Sequence, residues 1–211
     1  MPVRMKTAVG LLLAALGIGA LCLLAQGPLP GDVAITRGLQ RMAGEAPAWA
    51  RLLTDTAKAP LLWGTLSISI LLAYLRGGWS SARVGPIALL AGYGVDALLR
   101  AVLFAPRPVA ELVAVATPGA GSGLPSTFAL VYGSLFGAVL FASRKGGVVA
   151  TLSAASSAAL IAAGASARVV LAGHWTSQFL ASLLLAFSIV VALPPVLEQI
   201  ERARRKRSAS S

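Results

Sequence analysis

Between residues 96 and 178 the chain places charged and polar side chains where apolar sequence surrounds them. Asp96, Arg100 and Arg168 lie inside apolar segments, and Arg107, His174 and Gln178 lie close to segment ends. Ionisable groups are costly in such surroundings and mark functional sites. Three arginines stand against two acids in this region, Asp96 and Glu111. A phosphate would complete that balance, because guanidinium forks match its oxygens. Pro125-Ser126-Thr127 opens another apolar segment. Proline suits the first turn of a helix and serine can cap it. The free amides of Ser126 and Thr127, with the positive end of the dipole, would attract an anion. His174 is the only histidine in the chain.

The elements that must position these groups are membrane helices. Of the 211 residues, 57% are hydrophobic and 12% charged, with a mean hydropathy of +0.81. Soluble domains carry about 25% charged residues. Six spans are expected, near Ala8–Ala25, Ala59–Leu75, Val84–Ala105, Ser126–Ala142, Gly147–Ala172 and Ser177–Val196. They form one all-α integral membrane domain over residues 1–200. The first run is longer than the apolar core of a signal peptide, about 7–15 residues, and reads as an uncleaved helix. The fifth is rich in Ala and Ser, from Ser153 to Ala159, which predicts a central place in the bundle. Cys22 is the sole cysteine, so no intrachain disulfide forms. The net charge of +11 sits between the spans and in a C-terminal tail, residues 201–211, expected to be irregular. That placement argues for anionic lipid rather than nucleic acid as its partner. Eleven Lys and Arg fall on the side of the N-terminus and seven on the other, which predicts both termini in the cytoplasm. Residues 27–58 carry an amphipathic pattern (Ile35, Leu39, Met42, then Trp49, Leu52, Leu53) expected to lie on the outer interface.

On this topology Arg100, Arg107, Pro125–Phe128, Arg168 and His174 share the outer level of the membrane. Arg100-x6-Arg107-Pro108, Pro125-Ser126-Thr127-Phe128 and Arg168-x5-His174-x3-Gln178 resemble the three-part signature of the type 2 phosphatidic acid phosphatase superfamily. That signature reads Lys-x6-Arg-Pro, Pro-Ser-Gly-His and Ser-Arg-x5-His-x3-Asp. The resemblance implies a six-helix bundle of the phosphatase/haloperoxidase type. It implies a lipid phosphatase that works without metal or cofactor. The topology puts the site on the outer, periplasmic face, and the high Ala and Arg content with no eukaryotic sorting signal points to a bacterial inner membrane. His174 would attack phosphorus and form a phosphohistidine. Arg100, Arg107, Arg168, Ser126 and Thr127 would hold the phosphate oxygens.

The departures from the signature carry their own expectations. Arg100 replaces Lys and keeps its charge. Ala167 replaces Ser and loses a hydroxyl, whereas Thr127 replaces Gly and adds one. Phe128 stands where the family has its leaving-group acid. Gln178 stands where the family has the carboxylate that orients the nucleophile, and its amide oxygen is expected to accept from the His174 ring. Glu111 or a water is the substitute acid. A lipid diphosphate such as a polyprenyl diphosphate needs little protonation of its leaving phosphate, which titrates near ~6, so it is the expected substrate. A relative that binds phosphate headgroups without turnover, or a phosphotransferase, are the competing readings. Simpler roles are also open: an Asp96–Arg100 ion pair, a snorkelling Arg107, and headgroup anchoring by Trp49, Trp63, Trp79 and Trp175.

Overall fold

A computed structural model describes residues 3–116, 119–143 and 146–208, with side chains to residue 200. Arg144, Lys145 and the side chains of the basic tail lie outside the described residues. The described chain is helical, without strands: α1 (Val3–Ala25), α2 (Asp32–Ala43), α3 (Ala48–Asp55), α4 (Leu61–Gly77), α5 (Trp79–Ala82), α6 (Val84–Val102), α7 (Thr127–Leu140), α8 (Val148–Val170) and α9 (Thr176–Ser208). Among the described residues, four segments are long and apolar enough to cross a membrane: α1, α5 with α6, α8, and α9 to Ile200. The apolar helices α4 and α7 are shorter, at 17 and 14 residues. The tail is helical where an irregular chain was expected. Arg, Ala, Glu and Lys at 201–207 are good helix formers and simply extend α9.

The centre of the bundle is α7, not the Ala- and Ser-rich α8. Every α7 residue from Phe128 to Val139 is buried, and α7 packs against α4, α6, α8 and α9. Two glycines make this possible. A Cβ on Gly133 would lie 2.6 Å from the Ala186 methyl, and one on Gly137 would lie 2.9 Å from the Phe187 ring. This Gly-x3-Gly pair lets the backbones of α7 and α9 meet closely. Helix α8 instead buries a single stripe (Ala150, Ser153, Ser157, Ile161, Gly164, Ala167) and leaves its other side open. Helix α1 docks on α9 through small residues, Ala8, Ala15, Gly19 and Cys22.

The two ends of α7 are chemically different. Its C-terminal carbonyls accept from arginines: Arg76 donates to Leu140 O at 3.3 Å and Arg4 to Phe141 O at 3.3 Å. Cations there complement the helix dipole. At the N-terminal end gather α2, α3, the 103–126 loop, the end of α8 and the start of α9. Helix α2 turns its polar residues inward. Asp32, Thr36 and Gln40 are buried, while Met42 is 87% exposed and Ile35 is also open. Asp32 holds the start of α9 by accepting from Ser177 N (2.9 Å) and Ser177 Oγ (2.6 Å). Gln40 donates to Ala114 O (2.6 Å) and Val170 O (2.9 Å), joining the loop to α8. Helix α2 is thus bound to the bundle through its polar face, Leu39, Ala50 and Leu53 pack against the end of α8, and Ile35, Met42, Trp49 and Leu52 face outward.

Candidate phosphate site

A cavity of about 190 Å³ opens at the N-terminal end of α7. Arg100, Arg107, Thr127, Phe128, Arg168 and His174 line it, joined by Thr54, Ala57 and Lys58. Four stretches far apart in sequence therefore bring their charged groups to one place. Of the seven residues singled out by type and spacing, five reach this cavity and two, Ser126 and Gln178, do not.

Arg168 occupies the last turn of α8 and is the most isolated cation. Its Nε is buried without a hydrogen-bond partner. Gly173 makes room for it, since a Cβ there would lie 2.5 Å from Arg168 Nη2. Gly119 does the same for Arg107, whose Nη1 would be 2.6 Å from an added Cβ. Arg107 reaches the carbonyls of Gly121 (3.3 Å) and Gly173 (3.5 Å), both at the long end of hydrogen-bond range. Burial and the neighbouring Arg100 lower its pKa from the usual arginine value. Among the described residues no carboxylate pairs with Arg107 or Arg168. An uncompensated buried charge is expensive. A bound anion would supply the missing charge.

Arg100 is different, because each of its three nitrogens has a protein partner. Nε donates to both Asp96 oxygens (3.0 and 3.1 Å), Nη1 to Ser122 O (3.2 Å), and Nη2 to Pro125 O (2.6 Å) and Thr127 Oγ1 (2.9 Å). The simpler expectation of an Asp96–Arg100 pair holds. Arg100 ties α6 to the loop before α7, and the Thr127 hydroxyl, which donates to Asp96 (3.2 and 3.1 Å), belongs to the same network.

His174 is 2% exposed and lies in the turn between α8 and α9. Its Nδ1 is 2.7 Å from Gly123 O. A carbonyl can only accept, so Nδ1 carries the proton and Nε2 keeps its lone pair. Burial first, then the charges of Arg168 and Arg107, hold the His174 pKa well below the usual 6.5. The ring is neutral at physiological pH, as a nucleophile must be.

Two expected roles need correction. Gln178 does not touch the His174 ring: its Oε1 accepts from Trp175 N (3.2 Å) and its Nε2 donates to Pro106 O (2.7 Å). It is a strut beneath the site, packed so closely on Gly123 that a Cβ there would meet Oε1 at 2.5 Å. The Gly123 carbonyl takes the orienting position instead. Ser126 is fully buried and committed, its amide donating to Ser182 Oγ (2.8 Å) and its hydroxyl capping α7 by accepting from Ala129 N (3.4 Å). Buried in this way, Ser126 does not line the cavity.

Other expectations also change. Trp175 is 1% exposed and packs beside Val113 and Ala172, so it anchors no headgroup, whereas Trp49, Trp63 and Trp79 are exposed. Glu111 lines a separate cavity with Arg37, Arg41 and Glu45, and so does not reach His174. Phe128 stacks on Tyr132 with ring centroids 4.2 Å apart and packs over Gly164. Among the described residues lining the cavity, no carboxylic acid or second histidine takes its place. Sequence reasoning missed Thr54, on α3, and Lys58, in the turn after it, because that segment was read only for its amphipathic pattern. At the opposite end of the bundle, a cavity of about 400 Å³ beside Arg4, Pro194 and Pro195 contains neither histidine nor cysteine. Comparison with known families, curated proteins and solved structures finds no match.

Proposed function

We propose that this protein is a membrane lipid phosphatase of the type 2 phosphatidic acid phosphatase kind, acting by way of a phosphohistidine. The observation that carries the reading is one cavity holding Arg107, an unpartnered Arg168 and a neutral His174 with Nε2 unprotonated. The signature-like spacing of Arg100, Arg107, Arg168 and His174 supports it. In the reaction, the Nε2 lone pair of His174 forms a bond to phosphorus. The bond from phosphorus to the leaving oxygen breaks, and that oxygen takes the electron pair. Arg107 and Arg168 stabilise the charge on the equatorial oxygens. Water then attacks the phosphohistidine, releasing inorganic phosphate and restoring the ring.

Two features tune the substrate. The Gly123 carbonyl fixes the tautomer, yet it lacks the charge a carboxylate would offer the imidazolium. With Phe128 apolar, the described residues lining the cavity include no carboxylic acid or second histidine to protonate the leaving group, a loss of about 10²–10⁴ in rate for positioned acid catalysis. A diphosphate suffers least, because its leaving phosphate has a conjugate acid near ~6. The preferred substrate is therefore a lipid diphosphate, such as a polyprenyl diphosphate. In this reading α4 and α7 complete six crossings, both termini face the cytoplasm, and the site faces the periplasm of a bacterial inner membrane. The excess of Lys and Arg on the N-terminal side supports that orientation.

The aromatic packing of Phe128 favours a second reading, a phosphate-headgroup binder without turnover. Phosphate release by the purified protein, measured across mono- and diphosphate lipids, separates the two. Turnover of diphosphates that is abolished by His174→Ala supports the phosphatase. Binding that survives His174→Ala and fails in Arg168→Ala, with no turnover by either, supports the binder.

A further inference from the structure

The inner cavity adjoins a larger one, about 430 Å³, at the mouth of the site. Thr54, Lys58, Arg107 and Arg168 line both, so the two spaces meet at these four side chains. The outer space adds Arg51 and Asp55. Its lining therefore holds four cations against one carboxylate. Asp55 accepts from Lys58 Nζ at 2.9 Å, which leaves two ammonium protons for another acceptor. At the junction, Thr54 is 6% exposed and its Oγ1 has no hydrogen-bond partner. A buried hydroxyl without a partner is costly, and an oxygen of a bound anion would satisfy it.

We propose that α3 builds a second phosphate subsite, in which Arg51, Thr54 and Lys58 hold the distal group of a diphosphate while the reacting group lies beside His174. This deepens the phosphatase reading and rests on it for the inner site. Arg51 and Thr54, three residues apart, share one face of α3, and Lys58 follows in the turn after it. Trp49 and Leu52 leave the other side exposed and apolar, as a helix at a lipid surface requires. His174 attacks the terminal phosphorus, the bond from that phosphorus to the bridging oxygen breaks, and the group held by the subsite leaves with the lipid as its monophosphate. The subsite thus holds charge adjacent to the bond that breaks.

Binding to the full-length His174→Ala protein tests the subsite without turnover. Two probes are titrated: inorganic phosphate, and methylenediphosphonate, whose bridging carbon cannot be hydrolysed. Arg51 lines only the outer space and is solvent-exposed, so Arg51→Ala leaves the fold intact. The expected result is about tenfold weaker binding of the diphosphonate and less than twofold change for phosphate. Thr54→Val should repeat that selectivity. Equal losses for both probes, or no loss for either, overturn the subsite while leaving the inner site standing. If neither probe binds the parent His174→Ala protein, subsite and phosphatase reading fall together. If Arg168→Ala leaves phosphate binding unchanged while Arg51→Ala acts selectively, the subsite stands and the inner reading fails.

Discussion

At the residue scale the site depends on groups that cannot satisfy themselves. A neutral imidazole, bonded through Nδ1 to Gly123 O, sits among guanidinium groups that disfavour its protonation. Because the folded pKa lies below the unfolded value near 6.5, the unfolded chain binds the proton more readily. Stability from this group is present above that pH and is lost as pH falls towards the native pKa. With one histidine in the chain, ring nitrogen NMR reads the state directly. The spectrum should show the Nδ1–H neutral form unchanged between about pH 8 and pH 6, and bound phosphate should raise the pKa. Titration at the ordinary value would mean the ring is not confined as described. The arginines are confined by what is missing beside them. Gly173→Ala puts a methyl 2.5 Å from Arg168 Nη2, so phosphate affinity should fall by about tenfold or more. An unchanged dissociation constant would show that Arg168 does not bind the ligand from this position.

At the element scale, short pieces do the positioning. Helix α7 spans roughly 21 Å at ~1.5 Å per residue, less than the ~30 Å hydrocarbon core, yet α4, α5, α6, α8 and α9 all pack against it. Gly133→Leu should separate α7 from α9 and lower the thermal midpoint in detergent, with a cost of about 1–3 kcal/mol from overpacking. A wild-type midpoint would place the α7–α9 contact elsewhere. The positions of the apolar helices were legible from hydropathy, but not their ends: α1 starts at Val3 and α9 runs on to Ser208, because polar helix formers extend a helix past its apolar run. The convergence of Arg107, Arg168 and His174 was legible from spacing near span ends. The central place of α7 was not, since close approach depends on which residue of α9 faces Gly133, and the sequence does not say. Nor was the role of Gln178, whose partners Trp175 and Pro106 are set by how the 103–126 loop folds back. Helix α2 misled in a similar way. Its buried face is Asp32, Thr36 and Gln40, and polar residues turn inward only because the bundle end offers Ser177, Ala114 and Val170 to bond.

At the scale of the whole molecule, the ends of the bundle divide the labour. Arg4 and Arg76 close one end on α7 carbonyls, while the other end gathers α2, α3 and the cavities. If the cavity end faces outward, an impermeant maleimide should label Glu45→Cys in intact cells. Ser80→Cys should be labelled only after permeabilisation, both in a Cys22→Ser background. The reverse pattern would invert the topology and put the site in the cytoplasm. The proposed reaction requires His174 to bond covalently to phosphorus. The most direct measurement uses a polyprenyl diphosphate radiolabelled in the phosphorus that becomes inorganic phosphate, mixed with purified protein and quenched within one turnover. The prediction is label on the protein that is acid-labile and base-stable, as a phosphohistidine is, and absent in His174→Ala. Free phosphate accumulating with no labelled protein at any time, or label that persists in His174→Ala, would contradict it.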